Sequence, residues 1–178
     1  PSFDDPMIVA GQGTVGLEIL DQLQEPPAQI LVNCGGGGLG AGIALACPDS
    51  AIVTVEPEGW DDMRRSLELG EIVPVGSDAP ATLCDALQTP RVSPITFDIL
   101  KARGVKGVVV SEDEVVAAVR WAWEEHELTV ESGGAAALAA LLAGKAEIIR
   151  ETVVVLSGAN IDPELHRRLV GTEAGTAG

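Results

Sequence analysis

Four consecutive glycines, Gly35 to Gly38, are the residues of this sequence whose type and spacing best suit the binding of an anion. The apolar residues 30–32 before them predict a buried strand, and the apolar residues 39–46 after them predict a helix. Glycine allows a sharp turn and a close approach of backbone N–H groups to a ligand, and a helix N-terminus adds free N–H groups and a positive dipole end. The pattern predicts a phosphate site. The alternative interpretation of the four glycines is a tight turn that needs glycine only for packing.

The same glycines also fit a dinucleotide-binding pattern. Gly35, Gly37 and Gly40 satisfy G-x-G-x-x-G, and Glu56 lies near the position where dinucleotide folds keep an acid for the ribose. A second match lies within residues 11–16. Single matches are weak in a chain with 21 glycines, so the residues alone leave a dinucleotide site open as an alternative.

Composition limits the class of protein and the partners. The chain has 178 residues, of which 46% are hydrophobic, and this is enough for one domain with a sizeable core. Its formal net charge of -16 disfavours nucleic acid and anionic membranes as partners. Three cysteines, Cys34, Cys47 and Cys84, have neither metal-ligand spacing nor an even count, which favours a reduced, cytoplasmic protein.

Predicted strands alternate with predicted helices along the chain, which indicates an α/β fold with a mostly parallel, doubly wound sheet covered on both faces. We expect strands at residues 7–10, 30–32, 51–55, 72–75, 105–110 and 152–156. We expect helices at residues 14–23, 39–46, 61–69, 95–102, 111–126, 132–143 and from 162 onward. Ligands bind such sheets at the carboxyl ends of strands, where Gly35, Glu56 and Ser157 are all expected to lie.

Several stretches, taken in order, resemble the threonine/serine dehydratase and serine racemase family. They are Phe3–Pro6 with Ala10–Thr14, then Gly35–Leu39, Val55–Pro57 and Leu156–Asn160. Members of this family are pyridoxal-phosphate enzymes with the tryptophan-synthase-β-like fold, which is fold type II. The resemblance extends from residue 3 to about residue 165.

The resemblance implies roles for six residues in binding pyridoxal 5′-phosphate. Gly35, Gly36, Gly37, Gly38 and Leu39 match the loop that binds the cofactor phosphate through backbone N–H groups, which displaces the dinucleotide interpretation. Ser157 matches the residue that hydrogen-bonds the pyridine nitrogen. A neutral hydroxyl there need not protonate the nitrogen, so the ring is a weaker electron sink, which favours β-elimination.

A divalent cation is the second ligand that the resemblance implies. Residues 56–62 hold four carboxylates, which by themselves indicate a solvated loop. In the family, the positions of Glu56, Trp60 and Asp62 hold the cation, with Trp60 contributing only its backbone carbonyl. Such oxygen ligands suit Mg²⁺, Ca²⁺ or Mn²⁺.

The sequence also departs from the family pattern. Ala159 replaces a usual glycine, Ala86 replaces the glycine of an expected Asp-Gly pair, and Glu131 is only a tentative pocket residue. The Schiff-base lysine of a Ser-x-Lys-x-Arg-Gly context and the Ser-x-Gly-Asn loop for the substrate carboxylate are both missing. The chain has three lysines, at 101, 106 and 145, and none has that context; the last two are interpreted as solvated charges.

The resemblance therefore implies that residues 1–178 are the C-terminal portion of the cofactor-binding large domain, without the small domain and the Schiff-base lysine segment. We expect no catalytic residue in the chain and no appended regulatory domain. The expected activity is that of a pyridoxal-phosphate-dependent threonine/serine dehydratase, an ammonia-lyase that yields a 2-oxo acid. A serine racemase or a hydroxyaspartate ammonia-lyase is the alternative within the family.

A non-catalytic phosphate- or nucleotide-binding domain is the alternative from another class, since the glycine loop by itself could serve such a domain. For the dehydratase, the expected partners are a small amino-acid substrate, the missing N-terminal half and further copies in a homo-oligomer. We expect a cytoplasmic location.

Overall fold

A four-stranded parallel sheet forms the centre of the computed structural model, which describes residues 3–171. The strands are β1 Gln29–Asn33, β2 Ala51–Pro57, β3 Lys106–Val110 and β4 Thr152–Val154. Their order across the sheet is β3-β2-β1-β4, and in the register Gln29 lies opposite both Ala51 and Thr152. The fold class predicted from the sequence is confirmed.

Eight helices connect and cover these strands within residues 3–171. They are α1 Pro6–Gln12, α2 Thr14–Leu23, α3 Gly38–Ala46, α4 Asp62–Leu69, α5 Pro94–Ala102, α6 Glu112–His126, α7 Ala136–Leu142 and α8 Pro163–Val170. Two short 3-10 helices lie at Asp85–Leu87 and Gly133–Ala135. None of the helices in this range has both the length and the apolar character that a membrane crossing needs.

Strand β1 is buried along its whole length because helices cover both faces of the sheet. Side chains alternate between the faces, so Ile30 and Val32 belong to one apolar cluster with α3 and α5. Leu31 belongs to the other cluster, which includes the buried alanines of α7. A strand covered on both faces reads as a continuous apolar run in the sequence, which is why β1 was predictable.

Two predicted strands are wrong. Residues 7–10 lie in α1, because Asp5 caps the helix by accepting the Met7 N–H and Pro6 occupies the first helical position. Residues 72–75 are irregular rather than extended: the Val73 N–H binds the Ser66 hydroxyl at 2.9 Å. The next hydrogen bond of that segment runs from the Val75 N–H to the Pro90 carbonyl, so the partners of the segment are a helix side chain and a loop, not a strand.

Further differences concern lengths and side-chain environments. The predicted helix at 132–143 is a 3-10 turn followed by α7. His166 of α8 is 8% exposed, and its ring stands edge-on to Trp123 with the ring centroids 5.2 Å apart. Lys145 is exposed, as expected, but its Nζ also pairs with a Glu114 carboxylate oxygen at 2.7 Å. All three cysteines are free and buried.

A reciprocal hydrogen-bond pair begins α6, as the sequence predicted. Ser111 Oγ accepts the Glu114 N–H at 3.3 Å, and Glu114 Oε2 accepts the Ser111 N–H at 2.7 Å. Partial burial raises the pKa of Glu114, but hydrogen bonds from Lys145 and Ser111 outweigh it and hold the pKa below its ordinary value. The carboxylate therefore stabilises the helix terminus in its charged form.

We expect Glu114→Gln to lower the free energy of unfolding at neutral pH by about 0.5–1 kcal/mol, since Glu114 is partly exposed and its ion pair is screened. A carboxyl group whose pKa is lowered by folding contributes above its unfolded pKa and loses that contribution as pH falls through the folded value. Denaturant unfolding at pH 7 and in acid measures this difference. Asp113→Asn, an equal charge change on an exposed neighbour, is the control, and equal effects of both variants would contradict the assignment.

Candidate functional site

The glycine loop, residues 35–38, joins the carboxyl end of β1 to the N-terminus of α3. The Cys34 N–H donates to the Val55 carbonyl at 2.8 Å, so pairing with β2 continues to the start of the loop. The first helical hydrogen bond runs from the Ala41 N–H to the Gly37 carbonyl. The N–H groups of the first turn therefore have no helical acceptor and can bind an anion.

Two of the glycines cannot be replaced without strain. Gly37 has φ of +87°, and a Cβ there would lie 2.6 Å from the Cε atom of Met63. A Cβ on Gly36 would lie 2.3 Å from the ring of Phe3. The Gly36 carbonyl accepts the Thr96 hydroxyl at 2.7 Å, so α5 fixes the orientation of this peptide group.

A cavity of about 230 Å³ opens above the glycine loop. Residues of the segment 86–89 form one wall, and Phe3 and Gln12 also line the cavity. This wall lies close to the glycine loop, since a Cβ on Gly35 would be 3.2 Å from Leu87 Cα. No side chain that carries a positive charge lines the cavity within residues 3–171. The lining consists of Phe3, Gln12, Asn33, Gly35, Gly36, Gly37, Gly38, Leu39, Ala86, Leu87 and Thr89.

These features fit the phosphate end of pyridoxal phosphate. Free N–H groups at a helix N-terminus suit a phosphate, and a Cβ at Gly36 or Gly37 would lie too close to its neighbours. The five loop residues of the sequence prediction, Gly35 to Leu39, all line the cavity. The sequence analysis missed Asn33 and Thr89, which come from the strand end and from the facing wall.

Ser157 lies in the loop that follows β4 and is exposed. It is not among the residues that line the cavity above the glycine loop. The Val155 N–H donates to the Leu31 carbonyl at 3.0 Å, so pairing of this chain segment with β1 continues toward the glycine loop. The observed pairing of β1 and β4 ends at Leu31 and Val154. Continued by three residues, the same register would put Ser157 level with Cys34. The contact of Ser157 with a pyridine ring stays a prediction.

Glu131, the tentative pocket residue, contacts the Ser157–Asn160 loop. Its backbone N–H donates to the Gly158 carbonyl at 3.0 Å, and its Oε2 accepts the Asn160 N–H at 3.1 Å. A Cβ on Gly134 would lie 2.8 Å from the Gly158 carbonyl oxygen, so the two backbones pass very close to each other. Glu131 and Gly134 therefore fix the position of the loop that carries Ser157.

The residues predicted to bind a cation are largely buried. Glu56 is 0% exposed, and its two oxygens accept the N–H groups of Met63 and Arg64, each at 2.8 Å. Asp62 Oδ2 accepts the Val92 N–H at 2.7 Å, whereas Asp62 Oδ1 is buried without a hydrogen-bond partner in the described part of the chain. Within residues 3–171, no three or more His, Cys, Asp and Glu side chains form a metal-binding group. The cation site stays a prediction.

Burial changes the acidity of both carboxyl groups. It raises the pKa of Glu56 to about 8, although hydrogen bonds from the backbone of Arg64 and Met63 oppose the shift. Burial also raises the pKa of Asp62 to about 6, against the hydrogen bond from the Val92 backbone. Glu56 therefore acts in this structure as the group that accepts the first N–H groups of α4.

None of the three lysines lines the cavity above the glycine loop. Lys101 Nζ donates to the Gly70 carbonyl at 2.7 Å, Lys145 pairs with Glu114, and Lys106 is exposed at the start of β3. The described chain therefore places no amine where it could attack or deprotonate a ligand held by the glycine loop.

Comparison with known proteins agrees with this geometry. The L-threonine ammonia-lyase of Geobacter sulfurreducens is 42% identical over 165 residues, which are 90% of this chain and 40% of that protein. The serine racemase of Dictyostelium discoideum is 36% identical over 90% of this chain and 51% of its own length. The crystal structure of a threonine deaminase from T.th. superposes with a TM-score of 0.83 at 38% identity, covering 90% of this chain and 61% of that one.

The chain thus spans about half the length of the curated relatives that it matches. The match to the family described as "Pyridoxal-phosphate dependent enzyme" covers residues 1–158. That range includes the glycine loop, Glu131 and Ser157, which the structure places at the carboxyl end of the sheet. The chain belongs to the family of pyridoxal-phosphate-dependent enzymes.

Proposed function

We propose that this chain is the part of a threonine ammonia-lyase that holds the cofactor phosphate. The enzyme converts L-threonine or L-serine to a 2-oxo acid and ammonia. The observation that carries the proposal is the glycine loop, whose free N–H groups at the start of α3 face a cavity that no charged side chain of residues 3–171 lines. The name of the Geobacter sulfurreducens relative supports the choice of reaction.

Each group of this chain has a limited role in the proposed reaction. The N–H groups of the glycine loop bind and orient the phosphate, and the Ser157 hydroxyl meets the ring nitrogen as a neutral partner. Pyridoxal phosphate, when bound, supplies the carbonyl that condenses with amines and the ring that accepts electrons. The proton transfers require a lysine of the missing half, because the three lysines described above lie elsewhere.

The proposal extends to the setting of the enzyme. The missing half would complete the large domain and supply the small domain, and homo-oligomers would form from the completed chains. Three buried free thiols favour a location in the cytoplasm.

A serine racemase is the second candidate function, supported by the Dictyostelium discoideum relative, and a hydroxyaspartate ammonia-lyase is a third. A non-catalytic phosphate-binding domain is the candidate that remains if no lysine completes the site.

We expect residues 1–178 with pyridoxal phosphate and L-threonine to form no 2-oxobutanoate above background. The reason is that no amine in the described chain reaches the cavity, so neither covalent activation nor proton transfer is available. A coupled assay of 2-oxobutanoate measures this, with the Geobacter sulfurreducens ammonia-lyase as the active control. Turnover at a rate near that of the control would mean that Lys101, Lys106 or Lys145 is catalytic.

We expect Gly37→Ala to lower the free energy of unfolding by about 1–2 kcal/mol and to weaken phosphate binding, because the left-handed backbone and the contact with Met63 exclude a Cβ. Gly11→Ala is the control, since nothing in the described part of the chain lies within 4 Å of a Cβ there. Thermal unfolding with and without pyridoxine 5′-phosphate measures both effects. Equal stability and equal stabilisation by the ligand in the two variants would contradict the proposed loop geometry.

We also propose that Glu56, Asp62 and the carbonyl of Trp60 hold a Mg²⁺, Ca²⁺ or Mn²⁺ ion. The supporting observation is Asp62 Oδ1, a buried oxygen without a hydrogen-bond partner among residues 3–171. The oxygens of Glu56 already accept two N–H groups, so the ion would share them through their remaining lone pairs. Oxygen ligands of this kind suit the hard divalent ions.

Addition of Mg²⁺ or Mn²⁺ to the chelator-treated chain is expected to raise its melting temperature, since an ion that binds only the folded state stabilises it. Asp62→Asn is expected to remove this increase. Glu58→Gln, at an exposed carboxylate of the same loop, is expected to preserve it. Scanning calorimetry with each ion measures the effect, and an unchanged melting temperature in the unmutated chain would eliminate the cation site.

A further inference from the structure

Asn33 is a polar residue at the carboxyl end of β1, directly after the apolar residues Ile30, Leu31 and Val32. It is 8% exposed, and side-chain alternation puts it on the same face of the sheet as Leu31. Its Oδ1 atom is buried and has no hydrogen-bond partner within residues 3–171. Buried polar atoms in folded proteins nearly always have a partner, so an unpaired amide at this position requires an explanation.

Thr89, on the segment that faces the glycine loop, has the same feature as Asn33. Its Oγ1 atom is also buried without a partner in the described part of the chain, and the residue belongs to the segment that faces the glycine loop. A Cβ built on Gly35 would lie 3.5 Å from Thr89 Cγ2, so the side chain is next to the first glycine. Asn33 and Thr89 both line this cavity, and each has a buried polar atom without a partner among residues 3–171.

Among the residues that the structure describes, no cationic side chain lines the cavity to balance a phosphate. The whole chain adds to the difficulty, because its net charge of -16 repels anions. A phosphate in this cavity must therefore be held by neutral donors at short range. Hydrogen bonds to an ionised acceptor are stronger than bonds between neutral groups, so each additional neutral donor adds substantially to the affinity.

We propose that the side chains of Asn33 and Thr89 donate hydrogen bonds to the phosphate group bound by the glycine loop. This inference rests on the proposed function, because it takes the phosphate of pyridoxal phosphate as the occupant. The Thr89 hydroxyl rotates to present its hydrogen to an acceptor, and the Asn33 amide presents Nδ2 after rotation about its last torsion. The phosphate then meets the backbone donors of the loop, the Asn33 amide from the end of β1 and the Thr89 hydroxyl from the facing segment.

The proposal explains why Asn33 stands in a buried strand. Asparagine is unfavourable in strands, and an unpaired amide beside an apolar cluster destabilises the ligand-free chain. When the amide is rotated so that Nδ2 takes the position of the unpaired oxygen, a phosphate that accepts from Nδ2 removes that cost only in the bound state. A residue whose role is structural would instead have its partner in the protein, as Gln29 has at the other end of β1 through the Glu147 carbonyl.

Three substitutions test the inference in the full chain. Asn33→Leu and Thr89→Val keep the approximate shape of each side chain and remove the donor, and Asn33→Asp places a negative charge beside the phosphate. Gln88→Ala is the matched control, because Gln88 is an exposed neighbour on the same segment that does not line the cavity. The probe is pyridoxine 5′-phosphate, which lacks the aldehyde and so cannot condense with surface lysines. Pyridoxine is the same ring without the phosphate.

Titration calorimetry gives the affinity of each probe. We expect Asn33→Leu and Thr89→Val each to weaken pyridoxine 5′-phosphate binding about tenfold, and Asn33→Asp to weaken it further. Affinity for pyridoxine is expected to stay within about twofold, and the Gln88→Ala variant to match the unmutated chain. Asn33→Leu is also expected to leave the melting temperature of the ligand-free chain unchanged or higher, which a structural role would not allow.

Two outcomes contradict the inference and are distinguishable. If the unmutated chain prefers pyridoxine 5′-phosphate over pyridoxine and both neutral variants keep that preference within about twofold, Asn33 and Thr89 are not phosphate ligands, while the proposed function stands. If the unmutated chain shows no preference for the phosphorylated probe, the glycine loop does not bind phosphate, and both proposals are wrong.

Discussion

Hydrogen bonds on both edges of β1 hold the site together. The strand pairs with β2 and with β4, and the pairing with β2 continues to the Cys34 N–H, directly before the glycine loop. Because both faces of β1 are covered as well, the strand has no freedom to shift its register. The loop therefore starts from a fixed position, and the free N–H groups of α3 point to a fixed place.

The glycine loop is also held from outside the sheet. Met63 comes from the first turn of α4 and contacts Gly37, and the N–H groups of that same turn bind the buried Glu56 carboxyl group. Thr96 of α5 holds the Gly36 carbonyl. Two helices that do not carry the proposed phosphate donors thus support the conformation of the loop, so packing outside the loop contributes to its binding geometry.

Strands and helix starts that are determined by residues close together in the sequence could be predicted, whereas features that depend on residues far apart in the sequence could not. Residues 30–32 and 51–55 were correct because a central parallel strand is an uninterrupted apolar run. The start of α6 was correct because Ser111 and Glu114 form a local motif. Residues 7–10 were wrong because a short apolar run fits a strand or a helix equally, and only Asp5 and Pro6 decide between them.

The same distinction applies to the site. The glycine loop could be predicted because its residues are consecutive, and the structure places all of them at the cavity. The part played by Thr89 could not be predicted, because it depends on how the irregular segment before α5 folds back over the loop. Glu56 was assigned to a cation from resemblance, whereas its hydrogen bonds to the start of α4 became visible only in three dimensions.

The segment 82–92, which includes the wall 86–89, is attached to the domain by side chains near its ends and by one backbone hydrogen bond, from the Val75 N–H to the Pro90 carbonyl. Glu112 accepts the Leu83 N–H at 2.9 Å, and Asp62 accepts the Val92 N–H at 2.7 Å, so carboxylates at the starts of two helices anchor its ends. Between them lies only the short 3-10 helix Asp85–Leu87. Three residues of the segment, Cys84, Leu87 and Val92, are also buried in the two apolar clusters that cover the sheet. The side of the cavity that faces the glycine loop is therefore held by the same core that holds β1, so a change in core packing alters the shape of the cavity even where it touches no ligand.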